Sequence, residues 1–207
     1  MGLAKVKSEA LYTPEEYLAF EREAESRHEF FDGAIYAMAG ESLSHSRVCV
    51  NLSGEVRNKL KGKACEALSP NMKVRTSSAS LFAYPDLTVV CGKPQFHDTK
   101  KDVLINPQAI FEVLTSFTFN FDHTTKFQKY RLGNPTLTDY FLISQDKAFV
   151  EHFMKQADGN WLYRSYSELD ETIKIETLDC ELSLREIYDR VEFEIEFEEI
   201  DLEAGEM

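Results

Sequence analysis

The sequence has no excess of basic charge. Its 23 lysines and arginines stand against 36 aspartates and glutamates, a net of −13. That balance excludes a broad, non-specific hold on nucleic acid through counter-ion release. From Asp189 onward there are nine acids and one arginine, so the body before it carries only −5 and can still hold a local basic cleft. No apolar run reaches eighteen residues, and the opening Met1-Gly2-Leu3-Ala4-Lys5-Val6-Lys7 lacks the apolar stretch of a signal peptide. Cys49, Cys65, Cys91 and Cys180 stand singly, without CxxC spacing. They are expected to be buried free thiols of a cytoplasmic protein. His97, His123 and His152 have no ligand spacing with any cysteine, which argues against zinc. The absence of GxSxG, GxGxxG and a P-loop removes serine hydrolases and nucleotide cradles.

What is present is enough for a core: 43% hydrophobic residues, with fifteen Phe and nine Tyr against one Trp, points to a β-rich interior. Thr13-Pro14-Glu15-Glu16 predicts a helix start, with an N-cap, a proline at the first helical position and acids in the first turn. Asp32-Gly33 between apolar runs predicts a hairpin. Val48, Leu52, Val56 and Leu60 recur every four residues, as on the buried side of a helix capped by Ser42 or Ser44. Strands are expected around 65–75, 84–91 and 109–114, a helix from about Asp122 to Leu132, and four further strands between 140 and 177. No internal repeat or linker divides the chain, so one domain over 11–190 is expected. The tail, 191–207, alternates apolar and acidic residues. It suits an edge strand, a dimer contact, a protein-binding segment or an unstructured acidic end.

Glu112 stands out because it lies inside Ala109-Ile110-Phe111-Glu112-Val113-Leu114, a run that predicts a strand covered on both faces. A carboxylate there is costly unless a cation pairs with it. A lysine or arginine would do, and so would a divalent ion shared with a second acid. Asp86, which follows Pro85 at the start of an apolar run, is the natural second acid. Asp122, Lys126 and Tyr130 follow one another at four-residue spacing along the third helix. That spacing suits a surface ion pair or an ammonium held over the two acids. Glu29 could add a third acid, and His45 could touch a phosphate or cap its helix.

In this order, Thr13-Pro14-Glu15-Glu16-Tyr17, Arg27-His28-Glu29-Phe30-Phe31-Asp32-Gly33, His45-Ser46, Tyr84-Pro85-Asp86-Leu87, Phe111-Glu112-Val113-Leu114 and Asp122-x-x-x-Lys126-x-x-x-Tyr130 resemble a large bacterial family of restriction-endonuclease-like proteins. That family belongs to the PD-(D/E)xK nuclease superfamily. The resemblance implies an α/β (α+β) core, a mixed sheet flanked by helices, with extra antiparallel strands toward the C-terminus. It implies endonucleolytic hydrolysis of DNA phosphodiester bonds with Mg²⁺, or Mn²⁺ in its place. Asp86 and Glu112 would hold the metal, and Lys126 and Glu29 would complete the catalytic set. His45, Lys73 and Tyr130 are the substrate-binding candidates. Lys59, Lys61, Lys63 and Arg75 join Lys73 as a basic rim for DNA, and a homodimer is a natural assembly for cutting two strands. The chain departs from the superfamily pattern at Leu114, where a lysine is usual. Lys126 therefore acts from the helix, or the chain is a catalytically impaired binding or assembly module of the same fold.

Overall fold

The computed structural model describes residues 4–5, 11–115 and 121–193. The segment 194–207, and with it most of the alternating tail, lies outside them. In chain order the strands are β1 (Ala4–Lys5), β2 (His28–Phe31), β3 (Ala34–Ala37), β4 (Cys65–Leu68), β5 (Lys73–Arg75), β6 (Leu81–Ala83) and β7 (Leu87–Cys91). They continue as β8 (Val103–Leu104), β9 (Ala109–Leu114), β10 (Asp139–Ser144), β11 (Val150–Lys155), β12 (Trp161–Tyr166), β13 (Thr172–Ile175) and β14 (Cys180–Ser183). The helices are α1 (Pro14–Glu21), α2 (Leu43–Leu60), α3 and the short α4 (Leu184–Ile187). α3 includes a π turn over Asp122–Lys126 and runs on as an α-helix over Phe127–Gly133.

Six strands form the central sheet in the order β12-β11-β10-β9-β7-β4. β9 pairs with β10 in parallel and with β7 antiparallel, so the sheet is mixed, as expected. All six residues of β9 are buried, the mark of a strand covered on both faces. Phe111 and Val113 pack with Val48, Leu52, Val56 and Leu60 of α2 on one face. Ile110 and Leu114 pack with Phe127 and Tyr130 of α3 on the other. Each fully buried aliphatic side chain here contributes roughly 1.5–3 kcal/mol. A second six-stranded sheet, β1-β3-β2-β6-β5-β8, holds the N-terminal hairpin. Its turn is Asp32-Gly33, both at positive φ, as a two-residue hairpin turn requires.

Three expectations change. The apolar stretch 65–75 is two strands in two different sheets, because Ser69-Pro70-Asn71 breaks it: β4 pairs with β7 and β5 with β6 and β8. β6 and β8 are short strands that the polar sequence around them conceals. Cys65 and Cys91 are not free thiols: they sit opposite each other across β4 and β7 and are joined by a disulfide. Sheet register, which residue spacing does not reveal, brings them together. Cys49 and Cys180 are free.

Candidate functional site

The register of β7 and β9 pairs Leu87 with Phe111 and Thr88 with Ile110. One step further puts Asp86 opposite Glu112, on the same face of the sheet. The two acids are thus brought to one place by strand pairing rather than by a loop. Asp86 lies just ahead of β7, and its Oδ2 accepts the Val113 N–H at 2.7 Å. Its side chain keeps 20% of its surface exposed, whereas that of Glu112 keeps only 5%. Asp86 is therefore the acid at the mouth and Glu112 the acid at the base.

Lys126 reaches this cluster from the π turn of α3. Its Nζ lies 3.0 Å from Oε1 of Glu112, 3.2 Å from Oε1 of Glu29 and 3.6 Å from Oδ1 of Asp122. Glu29 arrives from the hairpin sheet, where its Oε1 also accepts the Tyr84 N–H at 3.1 Å. The wider rung of the π turn, with its i→i+5 bonding, places Asp122 and Lys126 side by side on the helix. Tyr140 ties that turn down by donating its hydroxyl to the Asp122 carbonyl at 3.2 Å.

Three carboxylates, Glu29, Glu112 and Asp122, thus share one ammonium, and Asp86 beside them pairs with His45. Burial raises the pKa of Glu29 and Asp86, and Lys126 (for Asp86, His45 as well) only partly opposes it. Burial lifts Glu112 well above the usual carboxylate range, and Asp122, Asp86 and Glu29 add to the lift. Burial works against the Lys126 ammonium too, but Glu112, Glu29 and Asp122 hold its pKa well above the ordinary lysine value. Glu112 Oε1 is buried, and no group among the described residues donates a well-aligned hydrogen bond to it, Lys126 included. Asp86 and Glu112 offer the oxygen ligands a hard divalent cation takes, and Glu112 Oε1 has only its ion pair with Lys126 to satisfy it among the described residues.

His45, in the first turn of α2, lies with Nε2 3.7 Å from Oδ2 of Asp86. Its backbone N–H is capped by Ser42 at 3.1 Å, which settles the choice between Ser42 and Ser44. Tyr130 is fully buried beside the cluster, its hydroxyl without a partner among the described residues. Lys73 turns inward: its Nζ donates to the Tyr84 hydroxyl at 3.1 Å and lies 3.4 Å from Asp102. Lys59 sits fourteen residues along α2 from His45, roughly 20 Å at 1.5 Å per residue. Lys61 and Lys63 lie beyond it at that far end. Cys49 was not singled out by sequence: burial raises its thiol pKa, and Asp86 is the first charge to add to that. Only the four-residue spacing from His45 could have signalled it.

A family model described as "Putative restriction endonuclease" (Uma2) matches residues 14–186. The chain belongs to this family. It is 34% identical over 177 residues to "Uncharacterized protein slr1290" of Synechocystis sp. (strain ATCC 27184 / PCC 6803 / Kazusa), covering 85% of this chain and 90% of that protein. It is also 34% identical over 157 residues to "Uncharacterized protein sll1609" of the same organism, covering 76% and 88%. Its fold is similar to that of a "putative nuclease belonging to DUF820" from Anabaena variabilis ATCC 29413, at a TM-score of 0.70 and 16% identity, covering 85% of this chain and 97% of that one. The mixed sheet with helices on both faces is thus a restriction-endonuclease-like architecture. No helix among the described residues is long and apolar enough to cross a membrane.

Proposed function

We propose that the chain is a metal-dependent endonuclease that hydrolyses DNA phosphodiester bonds, with Asp86 and Glu112 as the ligands of Mg²⁺. The observation that carries this reading is the meeting of Asp86 and Glu112 across two paired strands, in a cluster where one ammonium contacts Glu29, Glu112 and Asp122, and Asp86 pairs with His45 instead. The bound ion would supply Lewis acidity toward a phosphoryl oxygen and a more acidic water. Lys126 stands beside Glu112 and can hold a nucleophilic water or offset charge as it develops on the phosphate. Its place on α3 stands in for the usual lysine, absent at Leu114. Glu29 fixes Lys126 from the opposite sheet, as a positioning residue. His45 faces Asp86 at the open side and can contact a phosphate oxygen.

Nicking of supercoiled plasmid tests the reading. Mg²⁺ or Mn²⁺ should support it, a chelator should stop it, and Asp86→Ala should abolish it. Nicking that survives in Asp86→Ala contradicts the assignment.

A second reading rests on the same ammonium. Lys126 already pairs with Glu29, Glu112 and Asp122, and such a closed ionic cluster serves equally in a binding or assembly module of this fold. In that case the purified chain leaves plasmid intact with either metal, and Asp86→Ala stabilises the fold by removing a crowded carboxylate.

A further inference from the structure

Glu41, just before the N-cap Ser42 of α2, and His45 and Cys49, one turn apart on the helix, follow one another at four-residue intervals and converge at its start. One ligand atom from each lies within 4.8 Å of the other two. Nδ1 of His45 is 3.1 Å from Oε2 of Glu41 and 3.4 Å from Sγ of Cys49. Two groups therefore converge on one ring nitrogen, which offers either a single proton or a single lone pair. With the Nδ1 proton given to Glu41, the Cys49 thiol has the Asp86 carboxylate as its acceptor. A cation placed among the three ligand atoms would take the place of the Nδ1 and thiol protons.

The spacing also fits an ion. Zinc bonds of about 2.0–2.1 Å to nitrogen and oxygen and about 2.3 Å to sulfur, in tetrahedral arrangement, separate neighbouring ligand atoms by about 3.3–3.5 Å. The observed 3.1 and 3.4 Å lie close to those edges. We propose that Glu41, His45 and Cys49 form a site for a thiophilic divalent ion of the Zn²⁺ class, distinct from the oxygen-lined site of Asp86 and Glu112. Thiolate and imidazole select such an ion over Mg²⁺. The half-exposed Glu41 side chain gives it an entry from solvent, and the fourth position is left to water. The remaining nitrogen of His45, Nε2, faces Asp86 at 3.7 Å. A metal on Nδ1 fixes a proton on Nε2, directed at a carboxylate, as in other metal-bound histidines. Occupancy of this site therefore bears on Asp86, although the site itself does not depend on the nuclease reading.

Co²⁺ added to the full chain is the probe, because a thiolate ligand gives cobalt a charge-transfer band in the near ultraviolet. One equivalent should produce the band, and Zn²⁺ should displace it. Cys49→Ser should remove the band. Glu41→Gln, a change at an exposed side chain that leaves the core untouched, should weaken the titration. Cys180→Ser and Asp86→Asn should both retain the band. Absence of the band in the unaltered chain, its persistence in Cys49→Ser, or its loss in Cys180→Ser or Asp86→Asn would overturn the proposal. The readout is independent of nicking, so loss of the nuclease reading leaves this one standing or falling by itself.

Discussion

With its ammonium 3.0 Å from Glu112 and 3.2 Å from Glu29, Lys126 both neutralises the base of the cluster and joins α3 to the two sheets. Lys126→Met leaves three buried carboxylates without their cation, a loss that typically costs about 3–5 kcal/mol. The acids respond by holding protons. Carboxylates whose folded pKa lies above the unfolded value contribute stability that is present below the unfolded value and fades as pH rises. Glu29, Asp86 and Glu112 are all raised in this way. Urea unfolding of Lys126→Met should therefore show a larger deficit at pH 8 than at pH 5. An equal deficit at both would mean that Lys126 is not the cation these acids rely on.

At the scale of elements, the close fit of α3 against the hairpin sheet is set at its last residue. A Cβ at Gly133 would stand 2.5 Å from Cβ of Thr76, and the Gly133 carbonyl accepts the Ser77 N–H at 2.8 Å. Gly133→Ala must push the helix end off β5, costing about 1–3 kcal/mol. Thermal unfolding would register this, and an unchanged midpoint would show that the contact yields freely. α1 is tied to a distant loop by Arg22, whose guanidinium binds Asp102 at 2.7 Å and Asp98 at 2.8 Å. Arg22 holds the Asp102 pKa down at about 2. The stabilisation is present above the ordinary aspartate value and is lost as pH falls toward 2. Asp102→Asn should flatten that acid limb of the stability profile, and an unaltered limb would place the acid sensitivity elsewhere.

These elements differ in how plainly the sequence announced them. The six apolar-flanked positions of β9, the cap and proline of α1, and Asp32-Gly33 each state a local preference that tertiary packing then obeys. Glu112 announced itself because a charge in such a strand demands a partner, Asp86 after Pro85 and Lys126 at its helical spacing were the candidates the residues offered, and the resemblance gave them roles. The π turn did not show, because Asp122 and Lys126 lie four apart in either helix type. Lys59, Lys61 and Lys63 suggested a rim by charge alone, and only the length of α2 reveals that they stand roughly 20 Å from His45. Lys73 was likewise a cation on paper and a buried partner of Asp102 and Tyr84 in the fold. Cys65 and Cys91, like Cys49 beside Asp86, were brought to their partners by register and helix packing, neither of which residue spacing encodes.

For the whole molecule, the proposed activity comes down to a divalent cation held by Asp86 and Glu112 in the cleft where α3 meets the two sheets. The sheet order brings β7 and β9 side by side, and the hairpin sheet closes over them with Glu29. Calorimetric titration with Mg²⁺ tests the claim most directly, because the thiol-bearing site on α2 disfavours that ion. One Mg²⁺ should bind per chain, with binding lost in both Asp86→Asn and Glu112→Gln while each variant stays folded. The account is contradicted if the unaltered chain takes up no Mg²⁺, or if either variant binds it as the unaltered chain does.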